Sequence, residues 1–211
     1  MITLDIWSDP ICPWCYIGKS RLGRALESRP DHPFEIRWHP FQLNPDMPAE
    51  GIARQEYLSM KFGGEQGVLD AYAPVIAAAE EAGLKLDLPA ITRTPNTMDA
   101  HRLIHWAGLE GRQGAMVSGL FRAYFCEGRD IGDRDVLLDL AAQAGLARDM
   151  IARLLGTDAD IQMIRDSDRA ARARGIQGVP FFILDKQFAI SGAQPTALWH
   201  SVIDDLKGTP E

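Results

Sequence analysis

Two stretches near the start of the chain alternate apolar and polar residues, which is typical of β-strands with one buried face. They cover residues 1–7 and residues 34–38. Between them, apolar positions at helical spacing predict a helix over residues 13–28. A strand, a helix and a strand in this order favour two parallel strands joined by a right-handed crossover.

The middle of the chain follows a different period. Gly and Pro separate a series of helix-length apolar stripes, so this region is predicted to be a helical module. Asp133 is the predicted N-cap of one helix, over residues 136–144, and Gly175 lies just past the last stripe. Alternation then returns over residues 181–184 and 188–190, which predicts a β-hairpin.

A final apolar stripe predicts a helix over residues 196–206. The order of elements predicts an α/β protein that is interrupted by helices. We expect residues 1–45 and 166–211 to form one small domain with a thioredoxin-like fold, and residues 46–165 to form an all-helical insertion domain. The two outer segments together have the size of a single small α/β domain.

The composition and charge of the chain argue against some classes of function. The chain has 211 residues, a net charge of -7 and three cysteines. This acidity argues against general binding to nucleic acid, which needs an excess of clustered basic residues. No apolar run approaches the roughly 20 residues of a membrane span, and residues 1–7 lack the features of a signal peptide. We therefore expect a cytoplasmic protein without membrane partners, in which cysteine pairs are usually chemical rather than structural.

The chemistry begins at Cys12-Pro13-Trp14-Cys15, directly after the first strand and at the start of the first helix. A C-x-x-C pair in this position is typical of a thioredoxin-like redox motif. The positive end of the helix dipole stabilises a thiolate, so Cys12 is the predicted nucleophile. Cys15 lies one turn further along and is the predicted resolving thiol. Pro13 fits the first helical turn, and Trp14 offers an apolar surface for substrate contact.

A zinc half-site is the alternative interpretation of this pair. Zinc would need two further ligands, yet Cys126 is the only other cysteine and it forms no ligand-spaced pair with any of the five histidines. The sequence therefore predicts no metal. Cys126 itself is either a partly buried apolar side chain or a third redox thiol that becomes glutathionylated or bridges another chain.

A second motif is Gly178-Val179-Pro180-Phe181-Phe182, with proline at the entry to a strand. The strand, C-P-W-C at a helix start, a long helical middle and G-V-P-x-F before a hairpin together resemble the DsbA-like thioredoxin superfamily. That resemblance implies that Pro180 is cis and faces the cysteines. It also implies that the backbone of Val179 pairs with an extended substrate segment, as in strand addition.

Three further segments, residues 95–103, 123–131 and 191–194, resemble the FrnE-type branch of this superfamily. That branch is grouped with 2-hydroxychromene-2-carboxylate isomerases and kappa-class glutathione transferases, which carry serine where this chain has Cys12. The resemblance thus favours a dithiol-disulfide oxidoreductase. A glutathione-dependent isomerase or transferase, and a non-catalytic binding or chaperone module, are the alternatives.

The redox pair itself carries the electrons, so no cofactor is required, although glutathione is an option as cosubstrate. The expected partner is a thiol or disulfide substrate, either protein or small molecule, and a homodimer is an option that the sequence leaves open. His39 ends the second strand, where the carboxyl ends of parallel strands point toward the site, and is a candidate for tuning Cys12. Asp5 and Asp9, near the end of the first strand, are further candidates.

Overall fold

The computed structural model describes residues 1–208. Its β-strands are β1 (Ile2–Ser8), β2 (Phe34–Pro40), β3 (Ile52–Ala53), β4 (Arg93–Thr94), β5 (Phe181–Leu184) and β6 (Phe188–Ser191). Its α-helices are α1 (Pro13–Ser28), α2 (Arg54–Phe62), α3 (Glu65–Glu81), α4 (Met98–Leu109), α5 (Gln113–Glu127), α6 (Arg134–Gln143), α7 (Arg148–Leu155), α8 (Ile161–Ala173) and α9 (Thr196–Gly208).

The central sheet has four strands in the order β2-β1-β5-β6. β1 runs parallel to β2 and antiparallel to β5, and β5 and β6 form the predicted hairpin. The parallel pairing and the helix over residues 13–28 are therefore confirmed. Leu4 and Ile6 of β1 are completely buried, because the middle strand of the sheet is covered on both faces.

Alternate residues of the sheet pack against different helices. Leu4 and Ile6 belong to the same apolar cluster as Trp199 of α9, whose ring meets Phe182 edge to face at 4.8 Å. Trp7 points to the other side and packs with Ala171 of α8. The sheet is thus covered by helices on both faces. The chain leaves β1 at the carboxyl end of the strand and enters α1 there.

The insertion contains α2 to α7, and its buried core includes Leu103 of α4, Leu120 and Phe121 of α5, and Leu137 of α6. It is not entirely helical, however. β3 and β4 form a two-residue antiparallel ladder in which Ile52 faces Thr94. The prediction of an all-helical insertion is wrong on this point, because two residues are too few to show a strand period. The predicted cap at Asp133 is present and accepts two backbone hydrogen bonds.

The predicted domain boundary at residue 166 lies inside α8. This helix contacts both parts of the chain, since Asp168 accepts a hydrogen bond from the Gln42 backbone at 2.8 Å and its N-cap Asp160 accepts one from the indole of Trp106, on α4, at 2.8 Å. The division into 1–45 with 166–211 and 46–165 stays a prediction. None of the helices within residues 1–208 has the length and apolar character needed to cross a membrane.

Candidate functional site

Cys12 and Cys15 lie where β1 leads into α1. Cys12 is the N-cap of α1 in an extended conformation, and Pro13 occupies the first helical turn, as predicted. The Cys12 carbonyl accepts hydrogen bonds from the backbone of Cys15 at 3.1 Å and of Tyr16 at 3.3 Å. Both cysteines are free thiols. The first turn of α1 contains no acidic residue, so no carboxylate within that turn opposes the positive end of the helix at Cys12.

The Val179-Pro180 peptide bond is cis, as the resemblance implies, and it lies against Cys12. The Cys12 thiol donates a hydrogen bond to the Val179 carbonyl oxygen at 3.6 Å. Pro180 packs on α1 at Gly18, where an added Cβ would lie 3.1 Å from the proline Cγ. The close approach of these two segments therefore depends on a residue without a side chain at position 18.

Both thiols are buried, and Cys12 is the slightly more exposed of the two at 4%. Cys15 is 1% exposed, and burial raises its pKa well above the ordinary value. The adjacent Cys12 raises that pKa further, while the Ser8 hydroxyl and the Asp9 backbone N–H act in the opposite direction. Cys15 is therefore held as a protonated thiol near neutral pH. A protonated Cys15 thiol fits a pair in which Cys12 attacks first and Cys15 acts second.

Asp9 is a completely buried carboxyl group beside the reactive loop. It accepts hydrogen bonds from the Ile11 backbone at 3.3 Å and the Leu43 backbone at 2.7 Å. Its own backbone carbonyl accepts the N–H of Cys12 at 2.9 Å. Burial raises the pKa of Asp9 from 3.8 to about 7, despite these hydrogen bonds and the positive charge of Lys61. Asp9 therefore changes its protonation state near neutral pH.

His101 of α4 approaches the same carboxyl, with 3.9 Å between its Nε2 and the Asp9 Oδ1. Burial lowers the pKa of His101 to about 4, so the imidazole is neutral at neutral pH and this contact is not an ion pair. The buried Nε2 has no hydrogen-bond partner among residues 1–208. The side chain of His101 that faces Asp9 is thus a neutral ring and not a cation.

His39 lies elsewhere. Its Nε2 is 2.6 Å from the Asp5 Oδ1, and its ring stacks on Trp7 with 4.7 Å between ring centroids. It is not among the residues that line the cavity at Cys12. The predicted tuning role of His39 has no contact with Cys12 to support it and stays a prediction.

A cavity of about 410 Å³ opens beside Cys12. One wall comes from the predicted site, with Pro13, Trp14 and Val179. The insertion supplies the opposite wall. Its polar lining residues are Arg54, Tyr57, Lys61, Tyr72, Thr94 and Tyr124. The volume falls in the range of small-molecule sites. Within residues 1–208, no group of three His, Cys, Asp or Glu side chains is placed to hold a metal ion.

The sequence did not single out the cationic and phenolic wall of this cavity. Arg54, Tyr57 and Lys61 lie three and four residues apart on α2, and this spacing is the local signal that the sequence offers. Arg54, Tyr72 and Tyr124 come from three different helices that meet only in the folded chain. No pattern within a single segment links them.

Cys126 of α5 is half-buried and lies apart from the reactive pair. Its Sγ is 3.6 Å from the Tyr16 hydroxyl, and it does not line the cavity at Cys12. The Tyr16 ring stacks on Phe121 and Phe125. Cys126 therefore joins an aromatic layer between α1 and α5, which favours the apolar interpretation over a third redox thiol.

Comparison with known proteins identifies this architecture. The probable DsbA oxidoreductase SCO1869 of Streptomyces coelicolor superimposes with a TM-score of 0.86 and 31% identity, covering 100% of this chain and 93% of that one. A 2-hydroxychromene-2-carboxylate isomerase shares the fold with a TM-score of 0.72 and 20% identity, covering 97% and 96% of the two chains. The cytosolic disulfide reductase DsbM of Pseudomonas aeruginosa, solved with GSH, shares it with a TM-score of 0.69 and 22% identity, covering 98% and 100%.

The expected fold class is confirmed by these likenesses: it is a DsbA-like thioredoxin fold with a helical insertion. The model of one protein family also matches residues 3–204, which is nearly the entire chain. The chain therefore belongs to the family of DSBA-like thioredoxin domains.

Proposed function

We propose that this protein is a thiol-disulfide oxidoreductase in which Cys12 is the nucleophile and Cys15 the resolving thiol. The observation that carries the proposal is the position of Cys12 at the start of α1, beside the cis-Pro180 loop and at the edge of a substrate-sized cavity. Membership in the DSBA-like family supports the same reaction type.

In the reducing direction, the Cys12 thiolate attacks a substrate disulfide RS-SR. The Cys12-SR bond forms, and the first RS⁻ leaves. Cys15 then loses its proton to the solvent or to the leaving thiolate and attacks the Cys12 sulfur, so that the Cys12-Cys15 bond forms and the second RS⁻ leaves. Two electrons pass from the protein to the substrate, and the reverse sequence oxidises a dithiol.

Pro13, Trp14, Val179 and Pro180 form the substrate-contacting surface in this proposal. Glutathione is the candidate cosubstrate and would return the protein to its dithiol form without any further cofactor. The structure of DsbM with GSH supports this choice by fold analogy alone. DsbM is a cytosolic protein, and a cytosolic setting and a homodimer stay predictions for this chain.

The test is a disulfide-reduction assay on the wild type and on three serine variants. Cys12→Ser is expected to abolish turnover and Cys15→Ser to stop it after one mixed disulfide. Cys126→Ser serves as the matched thiol control and is expected to retain both the rate and the oxidised products of the wild type. Retained glutathione-dependent turnover by Cys12→Ser would instead favour the isomerase or transferase alternative. Unreactive cysteines in the wild type would favour a binding module.

A further inference from the structure

The guanidinium of Arg54 is a buried positive charge beside the reactive sulfur. Arg54 begins α2 and is 6% exposed. Its Nη1 donates to the Tyr124 hydroxyl at 3.1 Å and its Nη2 to the Tyr72 hydroxyl at 2.8 Å. Within residues 1–208, neither contact brings a negative charge, and Arg54 forms no ion pair. Arginine stays protonated in proteins, so its charge is present but not neutralised.

The rest of the cavity lining has the same sign. Lys61 is a second cation in the wall, and its Nζ donates to the Tyr57 hydroxyl at 2.7 Å. No Asp or Glu occurs among the residues that line the cavity. This local excess stands out in a chain whose net charge is -7. A buried charge without a counterion is costly, and a ligand that supplies the missing anion removes that cost.

The location of Arg54 is set by the short ladder in the insertion. β3 ends at Ala53 and pairs with β4, and the Arg54 backbone N–H donates to the Thr92 carbonyl at 2.9 Å. The buried Thr94 hydroxyl, on the same ladder, makes no hydrogen bond of ordinary geometry among residues 1–208. Arg54 and Thr94 therefore present unused donor capacity to one side of the cavity.

We propose that this cavity selects a low-molecular-weight disulfide that carries a carboxylate, with Arg54 as the residue that binds the carboxylate. The inference rests on the proposed function, because it places the substrate sulfur at Cys12. The planar guanidinium suits a carboxylate, and the apolar side chains of Trp14, Phe62 and Val75 receive the carbon skeleton. Reduction of this substrate yields two carboxylate-bearing thiols and oxidises Cys12 and Cys15 to a disulfide.

The test uses three small disulfides of similar length and different charge: 3,3′-dithiodipropionate, bis(2-hydroxyethyl) disulfide and cystamine, which are anionic, neutral and cationic. Oxidation of Cys12 and Cys15 in the reduced wild type is followed by tryptophan fluorescence, because Trp14 lies between the two cysteines. Each second-order rate constant is divided by that of dithiothreitol with the same disulfide, which removes differences in intrinsic reactivity. We expect the anionic disulfide to exceed the neutral one by about tenfold or more, and the cationic one to be slowest.

Variants test whether Arg54 causes the preference for the anionic disulfide. Arg54→Gln is expected to reduce the ratio of anionic to neutral rate constants to nearly one, and Arg54→Lys to restore part of it. Arg37→Gln makes the same charge change at an exposed arginine on β2 and is expected to keep the wild-type ratio. Equal normalised rates for all three disulfides in the wild type would overturn the inference, whether or not Arg54→Gln folds. An equal loss of the ratio in Arg37→Gln would also overturn it.

The two proposals fail in different ways. A neutral disulfide that oxidises Cys12 and Cys15 without any charge preference leaves the oxidoreductase proposal intact and removes the role of Arg54. When none of the three disulfides forms the Cys12-Cys15 bond, the oxidoreductase proposal itself fails.

Discussion

Replacing Asp9 by asparagine is expected to change how the stability of this protein depends on pH. The carboxyl group of Asp9 is completely buried, and burial raises its pKa from 3.8 to about 7. The folded protein therefore keeps a proton that the unfolded chain releases. The contribution of Asp9 to folding is most favourable below pH 3.8 and is lost as the pH rises toward 7. Asparagine removes this titration and keeps a similar shape.

The magnitude follows from the pKa. A change in a carboxyl pKa from 3.8 to about 7 corresponds to about 4 kcal/mol between the two ends of the titration. His101 acts in the opposite sense, because burial lowers its pKa from 6.5 to about 4. Its contribution is complete above pH 6.5 and is lost as the pH falls through 4. In the wild type the two contributions partly cancel, so its free energy of unfolding is expected to change little with pH. The difference between the wild type and Asp9→Asn therefore reports the contribution of the Asp9 carboxyl.

The assay is urea unfolding of the reduced wild type and of Asp9→Asn across the range between the two pKa values of Asp9. The difference in unfolding free energy is expected to move in favour of the variant by up to about 4 kcal/mol as the pH rises to 7. Asp46→Asn, in an exposed turn outside the helices, makes the same charge change and serves as the control. A difference for Asp9→Asn that does not change with pH would refute the account of Asp9.

Substitutions at four further positions test packing and capping, each by urea unfolding. Gly23→Ala in α1 should raise the free energy of unfolding by up to about 1 kcal/mol, because nothing lies near the added Cβ. Gly18→Ala should not raise it, because the added Cβ would lie 3.1 Å from Pro180. Equal effects of the two variants would contradict the close approach of Pro180 to α1. Arg102→Met should cost at least about 3 kcal/mol, since it leaves the backbone carbonyls of Thr157 and Ala159 without a donor and removes one donor from the Leu154 carbonyl. A loss under about 1 kcal/mol would contradict this. Asp133→Ala should cost about 1 kcal/mol through loss of the α6 cap, with Asp133→Asn nearly neutral.

Those parts of the fold that depend on local patterns could be predicted from the sequence. The parallel β1-β2 pair and the hairpin follow from alternation of apolar and polar residues. The bounds of α1 follow from Pro13 and the apolar stripe behind it. The C-x-x-C spacing located the candidate redox pair, because a helix start and a thiol separation of three residues are both visible in the chain.

Features that arise from contacts between distant segments could not be predicted. The wall formed by Arg54, Tyr72 and Tyr124 depends on how three helices pack. The burial of Asp9 depends on the chain around Leu43 and on α4, and the sequence shows only an acidic residue at a strand end. The closeness of Gly18 to the cis-proline loop likewise exists only in the folded protein.

The central claim is that Cys12 attacks and Cys15 resolves. The most direct measurement treats reduced Cys15→Ala and reduced Cys12→Ala with bis(2-hydroxyethyl) disulfide and locates the adduct by intact mass and peptide mapping. The account predicts a stable mixed disulfide on Cys12 in Cys15→Ala, formed much faster than any adduct in Cys12→Ala. An adduct that forms first on Cys15 or Cys126, or the absence of an adduct on Cys12, would contradict it.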